Sequence, residues 1–152
     1  MMTALTEHSV TDMLPCHAKE VAEIEKEAFS EPWSEKALLD SLDKGIFLVF
    51  LENDSVLGYA GAYCVGDEAA VTNVAVKAER RGEGIGKTLV ESLIRRAEAL
   101  GLDKISLEVR VSNTPAIKLY EKLGFETAGV RKNFYSSPRE DAFVLIHNLQ
   151  RK

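Results

Sequence analysis

The stretch Val71-Thr-Asn-Val-Ala-Val-Lys-Ala-Glu-Arg-Arg-Gly-Glu-Gly-Ile-Gly-Lys87 decides how the chain is read. Val71, Val74 and Val76 form an apolar strand pattern, and a charged, glycine-rich turn follows it. Beyond the turn, Leu89, Val90, Leu93, Ile94, Ala97 and Leu100 recur at the spacing of one buried helical face. A strand that runs through such a turn into a helix leaves the first helical N–H groups unpaired and aimed at one point. With the positive end of the helix dipole they make a site for a phosphate or pyrophosphate. Glycine lets the ligand approach where a Cβ would otherwise stand.

Two common phosphate loops do not fit. Gly86-Lys87-Thr88 resembles the end of a P-loop, but the glycine required five residues before Gly86 is Arg81. A dinucleotide fingerprint beginning at Gly82 and Gly84 needs a third glycine where Lys87 stands. What remains is Arg-x-x-Gly-x-Gly, at Arg81, Gly84 and Gly86. Taken alone, that pattern also fits a strand–turn–helix with a glycine cap.

The 152 residues suffice for one domain with a core of its own, so 1–152 reads as a single unit. Residues 1–14 read as a loose lead-in. Hydrophobic content of 45% and charged content of 28% are those of a soluble globular chain, and no apolar run approaches the ~20 residues of a membrane span. The N-terminus lacks the basic start and apolar stretch of a signal peptide. Cys16 and Cys64 stand far apart, so a reducing, cytoplasmic setting is expected. His8, His17 and His147 are scattered, which argues against a metal centre.

The net charge of −5 is unevenly placed: residues 1–76 hold 4 Lys/Arg against 14 Asp/Glu, and residues 77–152 hold 15 against 10. An acidic first half suits a cationic partner and a basic second half a polyanionic one, although both would also serve as plain solvated surface.

Taken in order, Val21, Ile24 and Phe29 mark a first helix ending near Ala28, and Pro32 with Ser34 breaks and recaps the chain for a short helix over 35–42. Trp33 between them is either a core plug or a substrate wall. Ile46–Leu51 and Val56–Val65 read as a hairpin around Asn53-Asp54, with Gly58 and Gly61 marking a bulge or a close backbone approach. Lys104–Arg110 alternates, with Ile105, Leu107 and Val109 on one face and Ser106, Glu108 and Arg110 on the other. A helix opens at Asn113-Thr-Pro115 and closes at Gly124. Strands over 125–130 and 141–149 follow, joined by a connector over 131–140. This order implies a mixed sheet with helices on both faces.

Asn113-x-x-Ala116-x-x-Leu119-Tyr120-x-x-x-Gly124-Phe125 is a second diagnostic block. Together with Arg81-x-x-Gly84-x-Gly86 it resembles the GNAT family of N-acetyltransferases. The resemblance implies an α/β (α+β) fold: a mixed, mainly antiparallel sheet that splays between its fourth and fifth strands. It implies acetyl-CoA in that gap as cosubstrate, without a metal. The pantetheine would lie along Val74, Ala75 and Val76, and the pyrophosphate on Arg81, Gly82, Glu83, Gly84, Ile85, Gly86 and Lys87. Asn113 would hold polar groups of the cofactor or cap its own helix. Tyr120 stands where the family's proton donor to the departing thiolate stands. Its alternative is a core aromatic with its hydroxyl satisfied.

Glu108 faces the acceptor side of the splay and suits a base for the amine; its alternative is an exposed strand glutamate in an ion pair. Phe29–Lys36 with Pro-Trp-Ser-Glu-Lys, Leu107–Asn113, Asn133-Phe-Tyr135 and Arg139–Ala142 are similar to one branch of the family. That RimI-type branch acetylates the N-terminal alanine of a small-subunit ribosomal protein. Phe134 and Ser137-Pro138 depart from its pattern in the substrate-side loop. The resemblance implies Glu108 as base, Tyr120 as acid, and Trp33 and Tyr135 as peptide walls. The partner expected is a basic protein N-terminus, with no nucleic acid and no membrane; a monomer is compatible with the sequence. Glu25, Glu27, Glu31 and Glu35 would attract such a peptide. A peptide α-amine of pKa ~7.7–8.0 is about 10% neutral at pH 7, so a modest base suffices. Acetyltransferases for lysines or small amines, and a non-catalytic CoA-binding module, are the rival readings; Glu108 and Tyr120 speak against the last.

Overall fold

The computed structural model describes residues 7–149. Seven strands form one sheet in the order β1-β2-β3-β4-β5-β7-β6. They are β1 (His8–Asp12), β2 (Gly45–Glu52), β3 (Ser55–Val65), β4 (Glu68–Val76), β5 (Lys104–Arg110), β6 (Glu126–Ser136) and β7 (Arg139–Asn148). All neighbours are antiparallel except β4 and β5, which run parallel. The helices are α1 (Ala18–Ala28), α2 (Glu35–Ser41), α3 (Ile85–Ala99) and α4 (Thr114–Lys122). Among the described residues no helix is long and apolar enough to cross a membrane.

The apolar run Ile46–Leu51 makes β2 a strand covered on both faces. Ile46, Leu48 and Phe50 join the core beneath α3 and α4, while Phe47 and Val49 join the core beneath α1 and α2. Helix α3 buries Ile85, Leu89, Val90, Leu93 and Ala97 as its spacing predicts. Leu100 departs from that face and is 63% exposed, because the helix ends at Ala99 and Leu100 caps it. Ser34 caps α2, its Oγ accepting from the Ala37 N–H at 3.0 Å.

Two segments differ from the sequence expectation. The supposed lead-in contains β1, which pairs with β2 from His8↔Glu52 to Asp12↔Leu48. A five-residue edge strand with little apolar alternation carries no local signal; its partner supplies the order. The connector expected over 131–140 is mostly strand, since β6 and β7 continue as a long hairpin to Ser136↔Arg139.

Gly61 stands at a bulge, where the β3–β4 register shifts and Thr72 becomes the extra residue. A Cβ at 61 would come within 2.5 Å of the Phe47 ring and 2.9 Å of Thr72 Oγ1. The bulge turns Asn73 toward α1, where Glu25 is fully buried. Asn73 Nδ2 donates to both carboxylate oxygens of Glu25, at 2.9 and 3.2 Å, and the Trp33 N–H donates to Oε1 at 2.9 Å. Burial pushes the Glu25 pKa up, and these N–H groups oppose it. Glu25 therefore ties α1, the α1–α2 linker and β4 together.

Replacing Glu25 with Ala leaves those donors without their buried acceptor and should cost about 2–4 kcal/mol in denaturant unfolding. A loss below about 0.5 kcal/mol would show that the network does not hold the core together.

Candidate active site

Strands β4 and β5 pair only over Glu68↔Lys104, Ala69↔Ile105 and Ala70↔Ser106. Beyond Ala70 they part, although β4 continues to Val76 and β5 to Arg110. β5 stays bound to β7 along its whole length, from Lys104↔Asn148 to Arg110↔Ala142. On the other side β4 stays on β3, with Val74, Ala75 and Val76 opposite Ala60, Tyr59 and Gly58. A wedge thus opens inside the sheet, with the β4 edge from Val71 to Val76 unpaired along it. Val71, Val74 and Val76 are only partly buried, unlike Ala69 and Ala75.

At the wide end of the wedge the chain makes the glycine-rich turn. Gly82 and Gly84 have φ of +83° and +84°, a region L side chains rarely adopt. Gly84 is the N-cap of α3 and supplies no side chain, so the first N–H groups of the helix have no capping partner. The Thr88 N–H and hydroxyl both bond the Gly84 carbonyl, at 3.1 and 3.0 Å. Arg81 Nε donates to the Val76 carbonyl at 3.2 Å and ties the turn to the end of β4. A Cβ built at Gly82 or Gly84 meets nothing within 4 Å, and at Gly86 only Val76 Cγ2 at 3.8 Å. The turn is an open cradle of N–H groups flanked by exposed Arg81 and Lys87. It fits a pyrophosphate. Glu83 enters this cradle by its backbone alone, since its carboxylate is bound by Arg80.

Three of the remaining candidates stand on β5, α4 and β6, across the wedge from β4. Glu108, on the open face of β5, forms an ion pair with Arg131 Nε at 3.3 Å. Tyr120, on α4, rests edge-on against Phe125 with ring centroids 5.7 Å apart. Its hydroxyl has no hydrogen-bond partner among the described residues. Burial, with a smaller contribution from Tyr135, pushes its pKa up to about 12. Tyr135 on β6 is also shifted upward, by burial first, with Arg110 opposing and the charges of Glu108 and Glu140 adding. Tyr135 thus lies within electrostatic reach of both Tyr120 and Glu108.

Asn113 caps α4, its Oδ1 accepting from the Ala116 N–H at 3.3 Å. Trp33 is half-buried against Tyr63, with ring centroids 6.1 Å apart, in the α1–α2 core. The structure does not bring it against Tyr135. The α1–α2 linker and the β6–β7 tip meet nearby through Ser136 Oγ, which donates to Glu31 Oε1 at 3.4 Å.

Local sequence reading does not single out the residues that hold this face. The Arg110 guanidinium lies 4.3 Å from the Tyr135 ring centre and donates to the Pro138 carbonyl at 2.9 Å and to Glu140 at 3.2 Å. Glu140 accepts from the Ser112 N–H at 2.9 Å, just before α4. This chain of contacts joins β5, the β6–β7 tip and the helix that carries Tyr120. No short-range pattern links positions 110 and 140. Glu25 did have a signal, since it falls on the apolar stripe of Val21, Ile24 and Ala28.

The model of the Acetyltransferase (GNAT) family matches residues 18–125, which span the wedge, the glycine turn and α4. The chain belongs to the GNAT acetyltransferase family. The Escherichia coli (strain K12) [ribosomal protein bS18]-alanine N-acetyltransferase is 38% identical over 125 residues, covering 80% of this chain and 84% of that one. The enzyme of the same description from Haemophilus influenzae is 35% identical over 140 residues, covering 90% and 95%. The crystal structure of the Escherichia coli ribosomal-protein-S18-alanine N-acetyltransferase superposes with a TM-score of 0.89 at 32% identity, covering 96% of each chain. This acetyltransferase accordingly has the family's mixed, mainly antiparallel fold and uses acetyl-CoA.

Because its pKa lies at about 12, Tyr120 holds its proton until the pH rises toward that value, whereas an ordinary phenol is half-ionised near ~10. In protein labelled at tyrosine Cζ, the Tyr120 resonance should stay fixed from pH 7 to about 10.5. Movement centred near 10 would contradict its burial.

Proposed function

We propose that this acetyltransferase modifies the α-amine of a protein N-terminus beginning with alanine, with a small-subunit ribosomal protein of the bS18 kind as its target. The observation that carries this reading is identity of 35–38% over four fifths or more of the chain to enzymes described as bS18-alanine N-acetyltransferases. The placement of Glu108, Tyr120 and Tyr135 on elements across the wedge from β4 supports it chemically.

In this reading acetyl-CoA lies along β4 with its pyrophosphate on the glycine turn, and supplies the activated acetyl group. Glu108 takes the proton of the incoming ammonium, directly or through one water, because only the neutral amine attacks a carbonyl. Arg131 keeps that carboxylate turned to the open face. Tyr120 gives its proton to the leaving sulfur. Its raised pKa does not reverse the transfer, because the burial that raises a phenol raises a thiol at the same place. Direct transfer needs no covalent enzyme intermediate. Cys16 is exposed and Cys64 lies in β3, so neither stands beside Glu108 and Tyr120 in the chain's fold.

The acceptor peptide enters between the α1–α2 linker and the β6–β7 tip, where Glu31 and Ser136 meet. Exposed Glu31 and Glu35 lend that entrance negative charge for a basic peptide. Glu25, expected to share in this, is buried in its own network and takes no part. Tyr135, held flat under Arg110, forms one wall. Trp33 shapes the other through its packing on Tyr63.

Replacing Glu108 with Gln should lower turnover by ~10²–10⁴ at neutral pH, with the deficit shrinking as rising pH deprotonates the amine unaided. A variant with the wild-type pH–rate profile would leave Glu108 without a role as base.

The target is tested with peptides beginning Ala-Arg, Ala-Glu and Phe-Arg, plus one blocked at its N-terminus but bearing lysine. Ala-Arg should be acetylated best, Phe-Arg poorly by clash, and the blocked peptide hardly at all. Preference for the blocked lysine peptide would overturn the N-terminal reading while leaving the acetyl-CoA chemistry in place.

A further inference from the structure

Arg80 lies in the short 3-10 turn Ala78–Arg80 that leads from β4 into the glycine turn. Its guanidinium is shared between two carboxylates. Nη1 and Nη2 donate to Glu52 at 2.7 and 3.0 Å, while Nε and Nη2 donate to Glu83 at 2.9 and 3.1 Å. His8 Nε2 lies 3.0 Å from the same Glu52 carboxylate. Arg80 and His8 hold Glu52 at about 2, and Arg80 holds Glu83 below the usual carboxylate range, so both acids are ionised at neutral pH.

Glu83 stands between Gly82 and Gly84, the two residues whose backbone shapes the cradle. An unrestrained carboxylate there would share the cradle with the ligand's own negative charge and repel it. Glu52 is at the end of β2, two strands from β4 on the side away from β5. The Glu52–Arg80–Glu83 bonds therefore draw the acid away from the wedge. Arg80 and Glu52 are part-buried and joined by two bonds, so the cluster also braces the turn. Its further consequence lies in where it keeps a charge.

We propose that Arg80 is a positioning residue for acetyl-CoA: anchored on Glu52, it holds the Glu83 carboxylate out of the pyrophosphate cradle and fixes the Gly82–Gly84 turn open. This rests on the assignment of the cradle to the pyrophosphate.

The experiment compares wild type, R80M, the double variant R80M/E83Q and G84V by calorimetry with acetyl-CoA. Turnover with S-acetylpantetheine, which lacks the pyrophosphate, is measured in parallel. R80M should bind acetyl-CoA about 5–30-fold more weakly at low salt, and the deficit should shrink toward about 0.5 M salt as screening sets in. Adding E83Q should recover most of the loss, which repair of a merely structural defect would not do. Turnover at saturating acetyl-CoA, and kcat/KM for S-acetylpantetheine, should stay within about twofold of wild type in R80M, since the chemistry is elsewhere. If R80M does not fold, R80K gives the same reading with a smaller loss, because one ammonium replaces a directed fork of donors.

Wild-type affinity in R80M, or a loss that E83Q does not repair, overturns the inference when G84V is itself defective. Wild-type affinity in G84V overturns the cradle assignment instead, and the inference falls with it.

Discussion

Two parallel strands that begin as hydrogen-bonded neighbours and then part leave backbone N–H and C=O groups exposed in the middle of a sheet. Unpaired groups of this kind are costly when buried, so such an edge is stable only where solvent or an extended ligand can reach it. β4 and β5 separate after Ala70 and Ser106 because each is held by a different partner. β5 follows β7 through seven residue pairs, while β4 follows β3 and is turned by its bulge at Thr72. The wedge, the cradle at its mouth and the placement of Glu108 all depend on this parting.

Polar contacts act together with apolar packing to hold the walls of the wedge in place. Buried Glu25 fixes the linker carrying Trp33 to the bulged strand through Asn73. Arg110 and Glu140 fix the β6–β7 tip to the start of α4. Hydrophobic burial is non-directional and tolerates small shifts. Directed bonds set relative positions more sharply, which suits a site proposed to take Glu108 from β5, Tyr120 from α4 and a wall from β6. The same logic governs charge, since the acidic first half is partly consumed internally, by Glu25 in the core and Glu52 with Arg80.

The environment of Tyr120 keeps its phenol neutral. Its ring, carried by a short helix, packs against Phe125, and Tyr135 lies within its electrostatic reach. Burial keeps that phenol protonated across the neutral range.

Much of this was legible in the chain. Apolar spacing placed α1, α3 and the strands β2 to β5, while break and cap signals at Pro32, Ser34, Asn113 and Gly124 placed α2 and α4. The spacing of Arg81, Gly84 and Gly86 announced the turn: Gly84 has positive φ at the uncapped helix start, and Gly86 leaves the first turn of α3 open. Asn113 announced its own cap. These local elements follow from neighbours within a few positions, and the candidate residues for acetyl transfer came from the resemblance to the family. The pairing that makes β1 a strand and the length of the β6–β7 hairpin came from the fold as a whole. So did the burial of Glu25, the grip of Arg80 on Glu52 and Glu83, and the electrostatic reach of Tyr135 to Glu108 and Tyr120. Each of these joins residues from separate elements, and the physical reason is the same: a strand edge or a carboxylate takes whatever partner the topology brings to it, and no local pattern specifies that partner.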